Sequence, residues 1–182
     1  MRRLRSISGA LAVLALAGLI AGALLDPAAT AHGWLFGFFF ASLAPLGGLA
    51  LAMIARLTDA PWAETFAPEL RALVAAGPWL WLLAVPIAVG LAGIYPWAGQ
   101  AQGVPAHLRL YLSPALFILR SAVALGGWTV LALIVLRGPV SQLVAGLGLA
   151  FLGFTLCIIP NDWVLSLRPG WTTTDFPMTA FA

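Results

Sequence analysis

Arg120 is the residue that most clearly requires a chemical explanation, because it lies inside the apolar stretch 111–136. At about 1.5 Å per residue it is expected near the middle of a membrane helix. An arginine there makes the free energy of membrane insertion less favourable by roughly 2.5 to 3.5 kcal/mol, so its guanidinium needs a partner. The six acids all lie at the ends of apolar stretches or between them. We therefore expect Arg120 to bind backbone carbonyls or hydroxyls such as Ser121 or Thr129, or else a ligand, a lipid headgroup or another subunit.

The two histidines are the next candidates for chemistry. His32 and His107 lie next to the starts of two apolar stretches that run in the same direction, so both are expected at one end of the molecule. A neutral imidazole there could bind haem iron or form a hydrogen bond to a quinone. Neither histidine lies within an apolar stretch, which favours an interfacial histidine over a buried haem ligand.

Other chemical groups are scarce in the sequence. Cys157 is the single cysteine, which excludes an internal disulfide, and it is expected to be a small core residue. No nucleophile–base set, phosphate-binding loop, dinucleotide fingerprint or metal-ligand spacing is present. We therefore predict no catalytic residue, no metal site and no cofactor held by this chain alone. The apolar stretches also lack the acids and histidines of proton relays, which argues against a free-standing pump or carrier.

The segment 158–177 has the densest mixture of polar and aromatic residues. Pro160 is expected to end a helix, and Asn161 or Asp162 to cap a following turn. Trp163 is expected to anchor the segment at headgroup depth. The segment is therefore either a membrane-surface helix with its tail or a docking surface for another subunit.

The composition shows that membrane spans must position these residues. Of the 182 residues, 62% are hydrophobic and 8% are charged, whereas soluble domains are roughly 45–50% apolar and about 25% charged. A water-soluble globule is thereby excluded. Nine basic and six acidic residues are too few to form the basic patch of a nucleic-acid-binding protein, so we expect no nucleic-acid partner.

About 20 apolar residues are needed to cross the hydrocarbon core of a membrane. The sequence predicts an all-α integral membrane protein with five transmembrane helices in a single domain, residues 1–182. The expected spans are 6–25, 33–55, 72–95, 111–136 and 140–159, followed by a tail over 160–182.

Arginine placement predicts the orientation, because basic residues near span ends stay in the cytoplasm. The residues expected on the cytoplasmic side are Arg2, Arg3, Arg5, Arg56, Arg71 and Arg137. Only Arg109 and Arg168 are expected on the opposite side, so the N-terminus is predicted to be cytoplasmic and the C-terminus periplasmic. The first stretch also resembles a secretory signal, but its apolar part is longer than the usual 7 to 15 residues, which favours a retained span.

Four stretches resemble one known family, in the same order along the chain. DWVLSLRPGWTTTDF, beginning at Asp162, resembles the Asp-Trp-x-Met-Ser-Leu-Glu-Pro-x-Trp motif of a membrane subunit of alternative complex III, the bacterial quinol:cytochrome c oxidoreductase. That subunit is the second quinone-binding-type subunit, of the polysulfide-reductase type. RLTDAPW (56–62), VPIAVGLAGIYPWA (85–98) and YLSPALFILRSAV (111–123) resemble further stretches of the same subunit.

The resemblance implies a fold of two four-helix bundles, of which this chain matches the first half. Spans two to five would form one bundle and the first span would be peripheral to it. A site between the two halves of the family fold would therefore be incomplete in this chain. The resemblance also implies a subunit without redox centres of its own.

The positions that match the family are Arg120, Asp162, Trp163, Tyr95, Pro96 and Trp97. Our candidates for contact with a quinol or a partner are seven residues: Arg120, Asp162, Trp163, Tyr95, Trp97, His32 and His107. Arg168 replaces the glutamate of the motif, Leu165 its methionine and Arg56 a histidine. The charge reversal at Arg168 puts any inherited role for that position in doubt.

We therefore expect a non-catalytic integral subunit of a respiratory electron-transfer complex in a bacterial inner membrane. The complex would be a quinol:cytochrome c oxidoreductase or an associated terminal oxidase. The expected partners are membrane lipids and cytochrome-bearing subunits, with haem in those subunits and quinone or lipid at the interfaces. The alternative is an independent small transporter or an assembly factor that acts as a homo-oligomer. An enzyme with its own active site is disfavoured.

Overall fold

The computed structural model describes residues 2–99 and 108–168, with the side chains of α1 described from residue 13 onward. All regular secondary structure within these two ranges is helical. The all-α membrane fold predicted from the sequence is therefore confirmed.

Nine α-helices and two 3₁₀ turns follow one another in the described ranges. The helices are α1 Arg2–Leu25, α2 Pro27–Leu57, α3 Trp62–Thr65, α4 Ala67–Ala75, α5 Leu80–Val89, α6 Leu91–Ile94, α7 Pro96–Gly99, α8 Pro114–Arg137 and α9 Gln142–Trp163. The 3₁₀ turns are Gly77–Trp79 and Leu165–Leu167.

Four helical runs are long and apolar enough to cross a membrane. They are Pro27–Leu57, Ala67–Val89, Pro114–Arg137 and Gln142–Leu167. The described side chains of α1 form a shorter apolar segment, Val13–Leu25. This segment packs along α2 and is mostly exposed, so α1 is peripheral to the bundle that the four longer runs form.

The third span runs over Ala67–Val89 and not over 72–95 as expected, and it is not one regular helix. The run begins at Ala67, and α4 and α5 meet at the 3₁₀ turn that contains Pro78. A proline has no backbone N–H and clashes with the preceding turn, so the α-helix cannot continue unchanged through it. After α5 ends at Val89, the short helices α6 and α7 redirect the chain.

Side-chain caps define the starts of two of the spans. The Asp26 carboxylate accepts a hydrogen bond from the backbone N–H of Ala29 at 2.9 Å, and Pro27 occupies the first turn of α2. The Ser141 hydroxyl accepts from the backbone N–H of Val144 at 3.3 Å at the start of α9. Both caps satisfy N–H groups that have no partner within the helix.

The bundle packs around α2, which contacts α1, α4, α5, α8 and α9. We call its two ends the Asp162 end and the Arg56 end, after a residue at each. The larger cluster of buried apolar side chains extends to the Asp162 end and includes Phe38, Phe117 and Trp163. A smaller cluster, with Met53 among its members, lies toward the Arg56 end.

The outer faces of the bundle are apolar as well. Large hydrophobic side chains are exposed along every long helix, among them Phe36, Phe40, Leu82, Val89, Val130, Leu143, Leu147 and Phe154. A soluble protein would not expose such a continuous apolar surface. These faces are therefore the ones that contact lipid.

At the Arg56 end, arginines bind the backbone of neighbouring elements. Arg56 donates from Nε to the carbonyl of Val140 at 2.5 Å and from Nη1 to Asp59 at 2.8 Å. Arg71 donates to the carbonyl of Leu136 at 2.7 Å, near the end of α8. Cations at a helix C-terminus satisfy carbonyls that have no partner within the helix.

Close packing of α2 against α4 generates a testable prediction. A methyl group added at Gly48 would lie 2.7 Å from the Cβ of Leu73, whereas one added at Gly47 would meet nothing within 4 Å. Because Cβ of Leu73 moves only with the backbone, Gly48→Ala must separate the two helices. We expect it to lower the free energy of unfolding by about 1–3 kcal/mol, measured by unfolding in mixed detergent micelles.

Gly47→Ala is the matched control, because it adds the same group on the same helix without a clash. It should leave stability unchanged or raise it slightly, since alanine favours helix over glycine. Equal destabilisation by both substitutions would contradict the packing described between α2 and α4.

Candidate functional site

The C-terminal end of α9 carries the first part of the site. The prediction that Pro160 ends this helix is wrong, because α9 continues to Trp163 and the N–H of Val164 still donates to the carbonyl of Pro160 at 2.9 Å. Neither Asn161 nor Asp162 caps a following turn. The Asn161 amide instead donates to the carbonyl of Cys157, and Asp162 points into the bundle.

Asp162 forms a two-point ion pair with Arg120 of α8. Nε of Arg120 donates to Oδ2 of Asp162 at 2.7 Å, and Nη2 donates to Oδ1 at 3.1 Å. The Asp162 side chain is 0% exposed and that of Arg120 is 20% exposed. A planar guanidinium that binds a carboxylate through two parallel bonds is fixed in direction as well as distance. The pair therefore joins α8 to α9 at one defined register.

The expectation that a backbone carbonyl binds Arg120 is confirmed by Tyr111, but the ion pair corrects two other expectations about this residue. Its partner is an acid of the same chain, and neither Ser121 nor Thr129 binds it. It also lies near the end of the span, since it comes six residues after Pro114 at the start of α8, about 9 Å at 1.5 Å per residue. An aspartate at the end of α9 can therefore reach it.

Tyr111 completes the surroundings of the guanidinium. Its backbone carbonyl accepts a further hydrogen bond from Nη2 of Arg120 at 3.0 Å. The Cζ atom of Arg120 lies 3.9 Å from the centroid of the Tyr111 ring, a distance at which a cation is attracted to the ring face. Arg120 thereby holds the segment before α8 as well as α9.

Trp163, the neighbour of Asp162, makes two hydrogen bonds to other elements, and a third bond holds the carbonyl just before it. Its indole N–H donates to the hydroxyl of Ser121 at 3.0 Å. Its backbone carbonyl accepts from the hydroxyl of Tyr95 at 2.9 Å. The hydroxyl of Ser166 donates to the carbonyl of Asp162, one residue earlier. These bonds attach the chain between α6 and α7 to the end of α9.

An aromatic cluster surrounds these bonds. The rings of Tyr95, Trp97 and Phe117 lie with their centroids 5.0 to 5.4 Å apart. Trp163 packs against Phe38 of α2 at 4.7 Å. Tilted ring pairs at these distances add to the stabilisation that comes from burial alone. The cluster therefore joins α2, α7, α8 and α9 at the Asp162 end.

Burial changes the interpretation of Trp163, which was expected at headgroup depth. Tyr95, Trp97, Asp162 and Trp163 are each at most 4% exposed. Trp163 is thus a core residue and not an interfacial anchor. The indole N–H of Trp97 and Oδ1 of Asn161 are buried without a hydrogen-bond partner.

The remaining candidates do not join this site. His32 is exposed on α2, with Nδ1 2.8 Å from the carbonyl of Ala28, and His107 lies outside the described residues. Cys157 is exposed, which corrects the prediction that it is a core residue. Thr129 accepts a hydrogen bond from the indole N–H of Trp81 at 3.1 Å.

Two tyrosines beside the ion pair keep their hydroxyl protons. Burial raises the pKa of the Tyr111 hydroxyl well above its ordinary value, and the negative charge of Asp162 raises it further. Burial, followed by the charge of Asp162, likewise raises the pKa of the Tyr95 hydroxyl. Tyr95 is therefore a hydrogen-bond donor at any physiological pH.

We call this arrangement the clamp. It consists of the Arg120–Asp162 ion pair, the Tyr95 hydroxyl and the packed rings around Trp163, and it joins α2, α7, α8 and α9. None of these side chains pairs a nucleophile with a base. Within residues 2–99 and 108–168, no three histidine, cysteine or acidic side chains lie together in a way that could hold a metal ion. Sequence reasoning missed the roles of Tyr111 and Ser121, since no spacing rule connects either residue to its partner.

The sequence matches no protein-family profile and no curated protein.

The clamp generates a prediction about stability. Asp162→Asn keeps the shape of the side chain but leaves the Arg120 charge unpaired in a largely buried position. Removing one partner of a buried ion pair costs about 3–5 kcal/mol. We expect a loss of that size in the free energy of unfolding, measured in mixed micelles.

Asp59→Asn is the matched control at the other end of the bundle. Asp59 pairs with Arg56, but its side chain is 68% exposed, and exposed pairs contribute about 1 kcal/mol or less. The backbone of Asp59 has a φ of 44°, which asparagine also adopts readily. If Asp162→Asn lowered the free energy of unfolding by no more than Asp59→Asn does, the Arg120–Asp162 pair would not stabilise the fold.

Proposed function

We propose that this chain is a non-catalytic integral membrane subunit of a bacterial respiratory electron-transfer complex. The complex is a quinol:cytochrome c oxidoreductase like alternative complex III or a terminal oxidase associated with one. The chain packs against cytochrome-bearing subunits within the membrane, and haem belongs to those subunits. Its Asp162 end contributes to the wall of a quinol site at a subunit interface.

The observation that carries the proposal is the convergence of three separate motif stretches. Tyr95 and Trp97 come from 85–98, Arg120 from 111–123, and Asp162 with Trp163 from the last motif. Arg120 binds the Asp162 carboxylate, the Tyr95 hydroxyl donates to the backbone carbonyl of Trp163, and the Tyr95 and Trp97 rings pack against each other. A set of residues that resembles one family and forms a single cluster supports a shared architecture more strongly than any one motif.

Two of the three departures from the motif lie away from the cluster. Arg168, which replaces the glutamate, is exposed at the end of the second 3₁₀ turn. Arg56, which replaces a histidine, lies at the opposite end of the bundle with Asp59. Leu165, which replaces the methionine with another apolar side chain, is half-buried at the start of the same 3₁₀ turn.

The proposed location is the bacterial inner membrane, with the Arg56 end in the cytoplasm. Arg56, Arg71 and Arg137 all belong to that end. Arg109 and Arg168 belong to the opposite end, which also holds the clamp. This distribution supports an N-terminus in the cytoplasm by the rule that arginine-rich ends remain inside.

Purification from native membranes tests the proposal. A chain with a protease-cleavable C-terminal tag is extracted in mild detergent and its partners are identified by mass spectrometry and haem absorption. We expect cytochrome-bearing subunits in fixed stoichiometry. We also expect protease added to spheroplasts to remove the tag, because the C-terminus is periplasmic in this proposal.

Asp59→Asn provides a control, because Asp59 is exposed at the opposite end of the bundle; it should leave the yield of the complex unchanged. Arg120→Leu should reduce the yield, because it leaves Asp162 unpaired at the end that meets the partners. A colourless homo-oligomer without partners would contradict the proposal and favour the transporter or assembly factor. A tag that spheroplasts protect would contradict the orientation alone.

A further inference from the structure

A groove opens on the side of the bundle between α5 and α8. Its volume is about 180 Å³, and its walls include Val85 of α5 and Ile118 of α8. Its floor is formed by Phe38 of α2 and Trp163 of α9, both buried. The groove therefore leads from the lipid-facing surface to the aromatic side of the clamp.

The lining offers almost nothing to a polar ligand. It is apolar except for two groups that already have partners. The hydroxyl of Ser121 accepts the indole N–H of Trp163, and the indole N–H of Trp81 donates to Thr129. A buried water needs two to four polar partners, so water is a poor occupant of this space.

The mouth of the groove lies within the membrane spans. Val85 is 53% exposed and Ile118 is 45% exposed, and they belong to the spans Ala67–Val89 and Pro114–Arg137. Hydrocarbon therefore surrounds the opening. Protein interiors pack to the density of organic crystals, so an apolar space that is open to hydrocarbon is filled from it.

The size of the groove limits what can fill it. An α-helix with its side chains is about 10–12 Å across, which is too wide to enter a space of this volume. A second copy of the chain or a partner helix could cover the mouth without reaching Phe38 or Trp163. A flexible chain of methylene groups can follow the groove to its floor.

We propose that this groove binds one acyl chain of a membrane phospholipid. The chain enters between α5 and α8 and packs against Trp163, next to the Arg120–Asp162 pair. It fills the space between α5 and α8 that the side chains of the two helices leave open. The site requires only that the protein lie in a bilayer, so it does not depend on the proposed respiratory complex.

Photo-crosslinking tests the site directly. The full chain is reconstituted in nanodiscs with a phosphatidylcholine that carries a diazirine near the end of one acyl chain. After illumination, adducts are located by peptide mass spectrometry. We expect adducts on the buried floor residues Phe38 and Trp163 in addition to the exposed walls.

Ala122 and Val123 provide matched variants on α8. Ala122 lines the groove, whereas Val123 is 55% exposed and is not part of the lining. Ala122→Phe fills the groove and should abolish the adducts on Phe38 and Trp163. Val123→Phe adds a ring on the lipid face and should leave them in place. If Ala122→Phe fails to fold, by circular dichroism and elution volume, Ala84→Leu on the opposite wall replaces it.

Two results would overturn the proposal. Adducts confined to the exposed walls in the unaltered chain would mean that lipid only surrounds the protein. Loss of the floor adducts on addition of a long-chain isoprenoid, without loss on addition of unlabelled phospholipid, would assign the groove to an isoprenoid tail.

Discussion

The ion pair between Arg120 and Asp162 is the constraint on which the Asp162 end depends. The carboxylate has no contact with solvent, and the guanidinium of Arg120 binds it at two points. Taking charges out of water is costly, and that cost is offset only when geometry and additional hydrogen bonds are good. The Tyr111 carbonyl and ring supply the additional contacts on the arginine side. Because the pair permits only one register of α8 against α9, it also fixes where Trp163 meets Tyr95, Ser121 and Phe38.

The two ends of the bundle satisfy their arginines in different ways. At the Arg56 end, exposed arginines bind the carbonyls of Val140 and Leu136, close to water and to lipid headgroups. At the Asp162 end, one largely buried arginine binds a fully buried acid among aromatic rings. The first arrangement tolerates movement and exchange with solvent, whereas the second is rigid. A rigid end with apolar faces suits a protein that is held between other membrane subunits, which is the role we propose.

The sequence predicted the membrane class and the four long spans because those follow from apolar length alone; the fifth predicted span corresponds to α1, of which the described side chains form a shorter apolar segment. It placed the ends of the helices less well, and the site depends on the ends. The expectation that Pro160 terminates α9 removed Asp162 from the bundle, which in turn left Arg120 without an acid partner. In the structure, α9 continues for three residues past that proline, since only one backbone hydrogen bond is lost there. The break at Pro78 shows the opposite outcome, whereas α5 continues through Pro86 to Val89, and tertiary packing decides between the two. Tyr95, Trp97 and Trp163 were named as positions that match the resembled motifs, but their burial depends on contacts among distant segments, which no local pattern contains.

A double-mutant cycle on Arg120→Gln and Asp162→Asn tests the central claim most directly. The free energy of unfolding of the unaltered chain, both single variants and the double variant is measured in the same mixed micelles. If the pair stabilises the fold as a unit, the two substitutions are coupled by about 1 to 3 kcal/mol, and the double variant is more stable than the sum of the single losses implies. Losses that add to within about 0.5 kcal/mol would contradict the account, because they would show that the two side chains stabilise the bundle independently.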